Sequence, residues 1–225
     1  MAKAKTRQGK DNPPKPSYPL TLKGELEEPL SRWLWLVKWL LIIPHAIVLF
    51  FLWIAAGFVT VIAFFAILFT GQYPRPLFNF TVGVLRWSWR VSFYSCAALA
   101  TDRYPPFSLG KEDYPADLEV EYSEDLVRWM PLVKWLFAFP HYACLAALTG
   151  WGWWHSAPGG APGGAFPFGG LLWVLMLITA VLLLFTGKYR QDIWKLVMGV
   201  NRWSFRVIAY VLLLTDEYPP FSLSE

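Results

Sequence analysis

The sequence predicts an all-α integral membrane protein of two tandem repeats, each a hydrophobic helical hairpin followed by an amphipathic interfacial helix. Short extended segments complete the connectors. Three observations carry this prediction. Apolar residues make up 56% of the 225 positions and charged residues only 16%, where roughly a quarter is usual. Long runs carry no charge at all, and the chain repeats itself. Fourteen Trp and seventeen Phe, with a mean hydropathy of +0.36, give more large apolar surface than a particle of this size can hide. A disordered chain, a coiled coil and a disulfide scaffold are excluded. The composition points to a bilayer.

Residues 1–17 form a separate basic tail. Lys3, Lys5, Arg7, Lys10 and Lys15 against Asp11 account for the whole net charge of +4. With Pro13, Pro14 and Pro16 the tail reads as disordered, suited to weak attraction to anionic headgroups at about 1 kcal/mol per basic residue. No stripe of basic and aromatic residues follows it, so nucleic acid is not an expected partner. The first apolar run covers residues 33–69, far longer than the core of a cleaved signal peptide. Cys96 and Cys144 lie singly in apolar runs, without zinc-site or disulfide-framework spacing, and read as small buried hydrophobes.

The duplication is explicit. Arg32-Trp33, Leu36-Val37-Lys38-Trp39-Leu40 and Pro44-His45 return as Arg128-Trp129, Leu132-Val133-Lys134-Trp135-Leu136 and Pro140-His141, 96 positions on. Leu68-Phe69-Thr70-Gly71 returns as Leu184-Phe185-Thr186-Gly187, 116 positions on. At that offset Gly83-Val84, Arg86-Trp87-Ser88 and Arg90-Val91 return as Gly199-Val200, Arg202-Trp203-Ser204 and Arg206-Val207. Both copies close with Tyr-Pro-Pro-Phe-Ser-Leu, at residues 104–109 and 218–223. Such self-similarity is read before anything else. It gives repeat 1 at 18–109, a linker at 110–113 and repeat 2 at 114–223. The lengthened offset locates a 20-residue insertion within residues 150–170, GWGWWHSAPGGAPGGAFPFGG, whose Gly and Pro cannot continue a helix.

A single helix over residues 34–69 would be about 54 Å long, against a hydrocarbon core of ~30 Å. The stretch is therefore either a long kinked helix or a tight hairpin of two short ones. An irregular loop in mid-bilayer leaves backbone groups unsatisfied, whereas at a hairpin tip it is harmless. The insertion in repeat 2 thus favours hairpins, four spans in all. No Lys or Arg falls between Lys38 and Arg75, or between Lys134 and Lys188. The positive-inside rule then places both termini in the cytoplasm, with a multi-pass chain in a bacterial inner membrane and Trp151, Trp153 and Trp154 in the outer aromatic belt.

A third segment follows each hairpin, at residues 77–100 and 192–214. Asn79, Gly83, Arg86 and Arg90 share one stripe of the first, and Lys195, Gly199, Arg202 and Arg206 one stripe of the second. Such a helix lies in the interface with its arginines toward headgroups; a full third span, giving six, is the alternative. In the connectors, Leu118, Val120 and Tyr122 alternate with Glu119 and Glu121, the period of a half-exposed strand, and residues 18–27 are a weaker counterpart.

Ile-Pro-His at residues 43–45, Ala-Ile-Leu-Phe-Thr-Gly at 66–71, Val-Leu-Arg-Trp-Ser at 84–88 and Thr-Asp-Glu-Tyr-Pro-Pro-Phe at 215–221 resemble the bacterial membrane family called domain of unknown function 4389. The resemblance covers both repeats. It implies an integral membrane protein and lends no chemistry. Repeat 2 departs from repeat 1 in having Phe139-Pro140 for Ile43-Pro44 and Lys188-Tyr189-Arg190 for Gln72-Tyr73-Pro74.

Two groups of side chains are candidate sites. Arg86 with Arg90, and Arg202 with Arg206, stand four apart on a helix, so each pair can bracket one anionic headgroup, to which guanidinium offers two parallel hydrogen bonds. The plainer reading is the polar face of an in-plane helix, snorkelling to water. His45 and His141 each follow a proline inside an apolar run. A relay or metal role competes with a neutral ring bonded to a carbonyl that the proline frees, and two histidines alone make a poor zinc site. No nucleophile elbow, zinc-protease motif, phosphate loop or dinucleotide fingerprint occurs. The expected role is therefore non-catalytic, without cofactor or metal: an accessory, scaffold or lipid-organising subunit. Its partners would be anionic membrane lipids and a membrane protein or a second copy. A small transporter or channel is the rival class, and a lipid-modifying enzyme the third.

Overall fold

The computed structural model describes residues 18–95, 98–149, 171–186 and 189–223. The basic tail, Cys96 and the inserted Trp151, Trp153 and Trp154 lie outside the described residues.

Strand β1 (Leu20–Gly24) opens repeat 1. Helix α1 (Trp35–Leu41) ends at Ile42, and α2 (Ile43–Thr70) follows at once. Pro44 sets this break, because it has no N–H for the carbonyl one turn back. Gly71, at φ +76°, ends α2 in the left-handed conformation that glycine adopts without strain. Helix α3 (Arg75–Tyr94) completes the repeat. Repeat 2 runs β2 (Ala116–Val120), α4 (Met130–Phe137), α5 (Phe139–Thr149), α6 (Leu171–Thr186) and α7 (Gln191–Val211), with Pro140 at the α4–α5 break.

The fold is mostly helical with one small sheet, and it corrects the hairpin. In repeat 1 the stretch expected to turn back is one continuous helix of 28 residues. Gly57, near its middle, has no neighbour that a Cβ would meet, and no second breaker accompanies it. One isolated glycine costs a helix only about 1 kcal/mol. In repeat 2, α5 and α6 together stand for α2. The buried positions Ala56, Ala63 and Ile67 recur as the buried Leu172, Thr179 and Leu183, and His45 recurs as the buried His141. Among the described residues α2 is the one helix long and apolar enough to cross a bilayer. The four-span count loses its basis with the hairpin.

β1 and β2 pair antiparallel with Leu22 opposite Leu118 at the centre of the register. These two leucines are equivalent positions of the two repeats, so a pseudo-twofold axis passes between them. Side chains that face each other across an antiparallel ladder point to the same side. Leu20, Leu22, Ala116 and Leu118 accordingly share one core with α3 and α7. The two helices pack against each other through Trp89 with Phe205 and Phe93 with Trp194, at ring separations of 5.5 and 5.8 Å.

The packing is crosswise: α3 of repeat 1 lies on β2, and α7 of repeat 2 on β1. On α3, Trp87 and Ser88 reach α2, whereas Arg86 and Trp89 reach the strands. At 3.6 residues per turn these are roughly opposite faces. The molecule thus has three layers: the sheet, then α3 and α7, then α2 on α3 with α5 and α6 on α7. That order corrects the in-plane reading of the third segments. Most of α3 and α7 is buried between the other two layers.

Candidate functional site

The polar groups of the molecule assemble into two matched constellations, one per repeat. Each joins the short helix before the proline to the Thr-Asp that follows the long amphipathic helix. In repeat 1, Lys38 points inward from α1 and is 3% exposed. Its ammonium lies 2.9 Å from Asp102 Oδ1 and donates to the Thr101 carbonyl at 2.6 Å. The Tyr94 ring stands 4.9 Å away. Asp102 Oδ2 accepts from the Ser31 N–H at 2.5 Å, and Tyr104 donates its hydroxyl to the Leu41 carbonyl. In repeat 2, Lys134 lies 2.6 Å from Asp216 Oδ1 and donates to the Thr215 carbonyl at 2.8 Å, with the Tyr210 ring beside it. Asp216 Oδ2 accepts from Val127 N–H, and Tyr218 donates to the Phe137 carbonyl. Burial pulls both ammonium groups below the ordinary lysine range, and the neighbouring carboxylate pulls each back up.

Both histidines are fully buried beside these latches. The expected carbonyl partner is not what the ring meets. Trp87 Nε1 donates to His45 Nδ1 at 3.1 Å, and Trp203 Nε1 to His141 Nδ1 at 3.2 Å. Since Nδ1 accepts, a neutral ring carries its proton on Nε2. Phe107 stacks on His45 at 3.9 Å and Phe221 on His141 at 4.0 Å. Each Tyr-Pro-Pro-Phe segment is thus a lid of rings over a histidine.

The arginine stripes face the protein. Gly83 packs so closely that a Cβ there would fall 3.0 Å from the Leu109 carbonyl, and one at Gly199 would fall 2.9 Å from that of Leu223. Arg86 donates to the Leu109 and Leu118 carbonyls and to Asp117 Oδ1 at 2.9 Å. Arg90 is wholly buried and donates to the Ser108 and Gly110 carbonyls. Lipid phosphate is therefore not the counter-charge of this pair. Asp117, on the strand of the other repeat, supplies it. Arg206 is buried, 5.3 Å from the Tyr18 ring centre, and Arg202 points to the Leu223 carbonyl at 3.4 Å.

The sequence pattern singles out Arg86, Arg90, Arg202, Arg206, His45 and His141, and does not mark Lys38, Lys134, Asp102, Asp216 or Asp117 as site residues. A signal for the lysines was there: a cation within an apolar run, at the same place in both copies, facing a recurring Thr-Asp. No such signal marks Asp117, whose counterpart in repeat 1 is Thr21. Cys144 is exposed rather than buried. Taken together these contacts position segments: every cation in the two constellations is directed at a carbonyl, a carboxylate or a ring of the chain itself.

Comparison with curated proteins and with solved structures found no match. The chain matches the family described as Domain of unknown function (DUF4389) over residues 32–108 and 168–222, one segment in each repeat. These segments hold the first latch, the lids of both histidines, and α3 and α7. They cover more than half of the chain, which belongs to the DUF4389 family, in two tandem copies.

Proposed function

We propose that the chain is a non-catalytic membrane protein of the bacterial inner membrane, an accessory or scaffold that organises lipid, with both termini on the cytoplasmic side. One observation carries this reading: the outer layer is apolar outward. On α2, Phe50, Phe51, Phe58, Val61, Ile62, Phe65 and Phe69 are all more than half exposed. On α5 and α6, Phe139, Leu177 and Phe185 are too. A contiguous face of this kind marks an interaction surface, and its freedom from charge fits lipid. Exposed Trp33, Trp39, Trp129 and Trp135 stand at the start of each apolar stretch, where indole favours the headgroup level. Exposed Arg32 and Arg128 adjoin them and are placed to meet anionic headgroups, whereas Arg86 and Arg90 face the protein.

The inward direction of the buried cations supports a structural rather than a transport role. Fractionation tests the membrane reading: the full chain should stay with membranes through alkaline carbonate. Release into the soluble fraction would overturn it. Flux into proteoliposomes abolished by His45→Ala would favour the transporter. Mild-detergent purification with bound lipid or a stoichiometric subunit would support the accessory role.

A further inference from the structure

The layer order bears on how the apolar helices meet the bilayer. At 28 residues α2 is about 42 Å long, more than the ~30 Å of hydrocarbon, which invites a tilted crossing. Its neighbours forbid one. Trp53, near the middle of α2, donates to Ser88 of α3 at 3.1 Å. Two residues away, Arg86 holds Asp117 and the Leu118 carbonyl of β2. The next strand residue, Glu119, pairs with Lys111, and these side chains are 41% and 66% exposed. Lys23 of β1 is exposed as well. Were α2 to cross, the sheet would lie at the depth of its middle, and these charges would face hydrocarbon. A two-stranded sheet also has open edges, which do not occur in lipid.

We infer that α2 and the α5–α6 pair lie lengthwise in a single leaflet, the sheet standing in water above them. This rests on the membrane reading of the preceding subsection. The pseudo-twofold axis is perpendicular to the sheet, so it sends the outer helices of both repeats to the same side. Embedded helices of this kind sit about 5–10 Å into the headgroup/acyl boundary. Two packed layers separate the sheet from the lipid-facing surface, at about 10 Å each. That spacing leaves Lys23, Lys111 and Glu119 in solvent. The occupant of the apolar face is thus one leaflet.

The test uses the full chain with Cys96→Ser and Cys144→Ser, reconstituted in phosphatidylethanolamine–phosphatidylglycerol vesicles. Single cysteines replace Ile47, Phe58 and Phe69 of α2 and Leu177 and Phe185 of α6, all exposed, and carry nitroxide labels. Depth is read from the contrast between oxygen and a water-soluble nickel chelate. All five labels are expected at one shallow depth. A profile with Phe58 near the midplane and Ile47 and Phe69 shallow would overturn the inference while leaving the membrane reading intact. Labels reached by the chelate as freely as in water would overturn both. As a second measure, Ser31→Cys and Gln72→Cys flank the stretch at exposed sites. An impermeant maleimide added outside should label both or neither in each vesicle orientation; labelling of one alone would mean a crossing.

Discussion

Repeat 1 builds its long apolar element as one helix, whereas repeat 2 builds it as two, of 11 and 16 residues, on either side of residues 150–170. The contacts of the buried histidine and lysine are nevertheless reproduced. His141 meets Trp203 as His45 meets Trp87, and Lys134 meets Asp216 as Lys38 meets Asp102. Lateral packing against α3 or α7 therefore places each half of the element, and continuity along the helix is dispensable. The repeats differ more where they meet. Arg86 and Arg90 have a carboxylate on the strand opposite, Asp117, while the equivalent strand position facing repeat 2 is Thr21. The histidine and lysine contacts within a repeat are duplicated; the contact of the arginine pair across the axis has diverged.

The latches offer the most severe way to break the comparison. Asp102→Ala leaves the Lys38 ammonium buried without its carboxylate, and Asp216→Ala does the same to Lys134. Removing one partner of a buried pair costs about 3–5 kcal/mol. Equal losses are expected in thermal unfolding of the detergent-solubilised protein. A much milder effect of Asp216→Ala would show that the second latch is not equivalent.

Asp117→Asn should act on repeat 1 alone, at about 1.5–3 kcal/mol for the lost charge-assisted bonds. The complementary Thr21→Asp should change stability little, since repeat 2 is built without that carboxylate. A loss from Thr21→Asp as large as that from Asp117→Asn would show that the two strand faces are not comparable.

Glycine substitutions sharpen the likeness. A methyl group at Gly83 or Gly199 meets a backbone carbonyl that cannot step aside, so Gly83→Ala and Gly199→Ala should each cost about 1–3 kcal/mol. Melting temperatures of the two variants should fall together.

The smallest effect is expected from deleting residues 151–170, which restores the spacing of repeat 1. Because α5 and α6 are held from the side, the variant should melt close to the parent and gain helical circular dichroism. A collapse in stability would show that the insertion takes part in folding.

Much of this was legible in the residues. Duplication, the proline breaks before His45 and His141, the strand period around Leu118 and the apolar outer helices all follow from spacing and composition. The hairpin did not, for a definite reason. The insertion reports only that repeat 2 tolerates an interruption, and α5 and α6, each held from the side by α7, tolerate one without a hairpin. The arginines misled likewise. Four-residue spacing puts Arg86 and Arg90 on one face of α3, but it does not say whether that face meets lipid or the carbonyls of residues 108–110 and 118.

What the sequence determined alone is periodic or repeated: which segments are helical, where proline breaks them, which face of each is apolar, and that the whole arrangement occurs twice. These depend on neighbours within a few positions, or on identity between copies. The tertiary structure decided the pairing of Leu22 with Leu118, the crosswise seating of α3 on β2 and α7 on β1, and the choice of Asp117 as counter-charge. Those contacts join residues tens of positions apart, and each is selected by the fit of a whole layer, which no local pattern encodes.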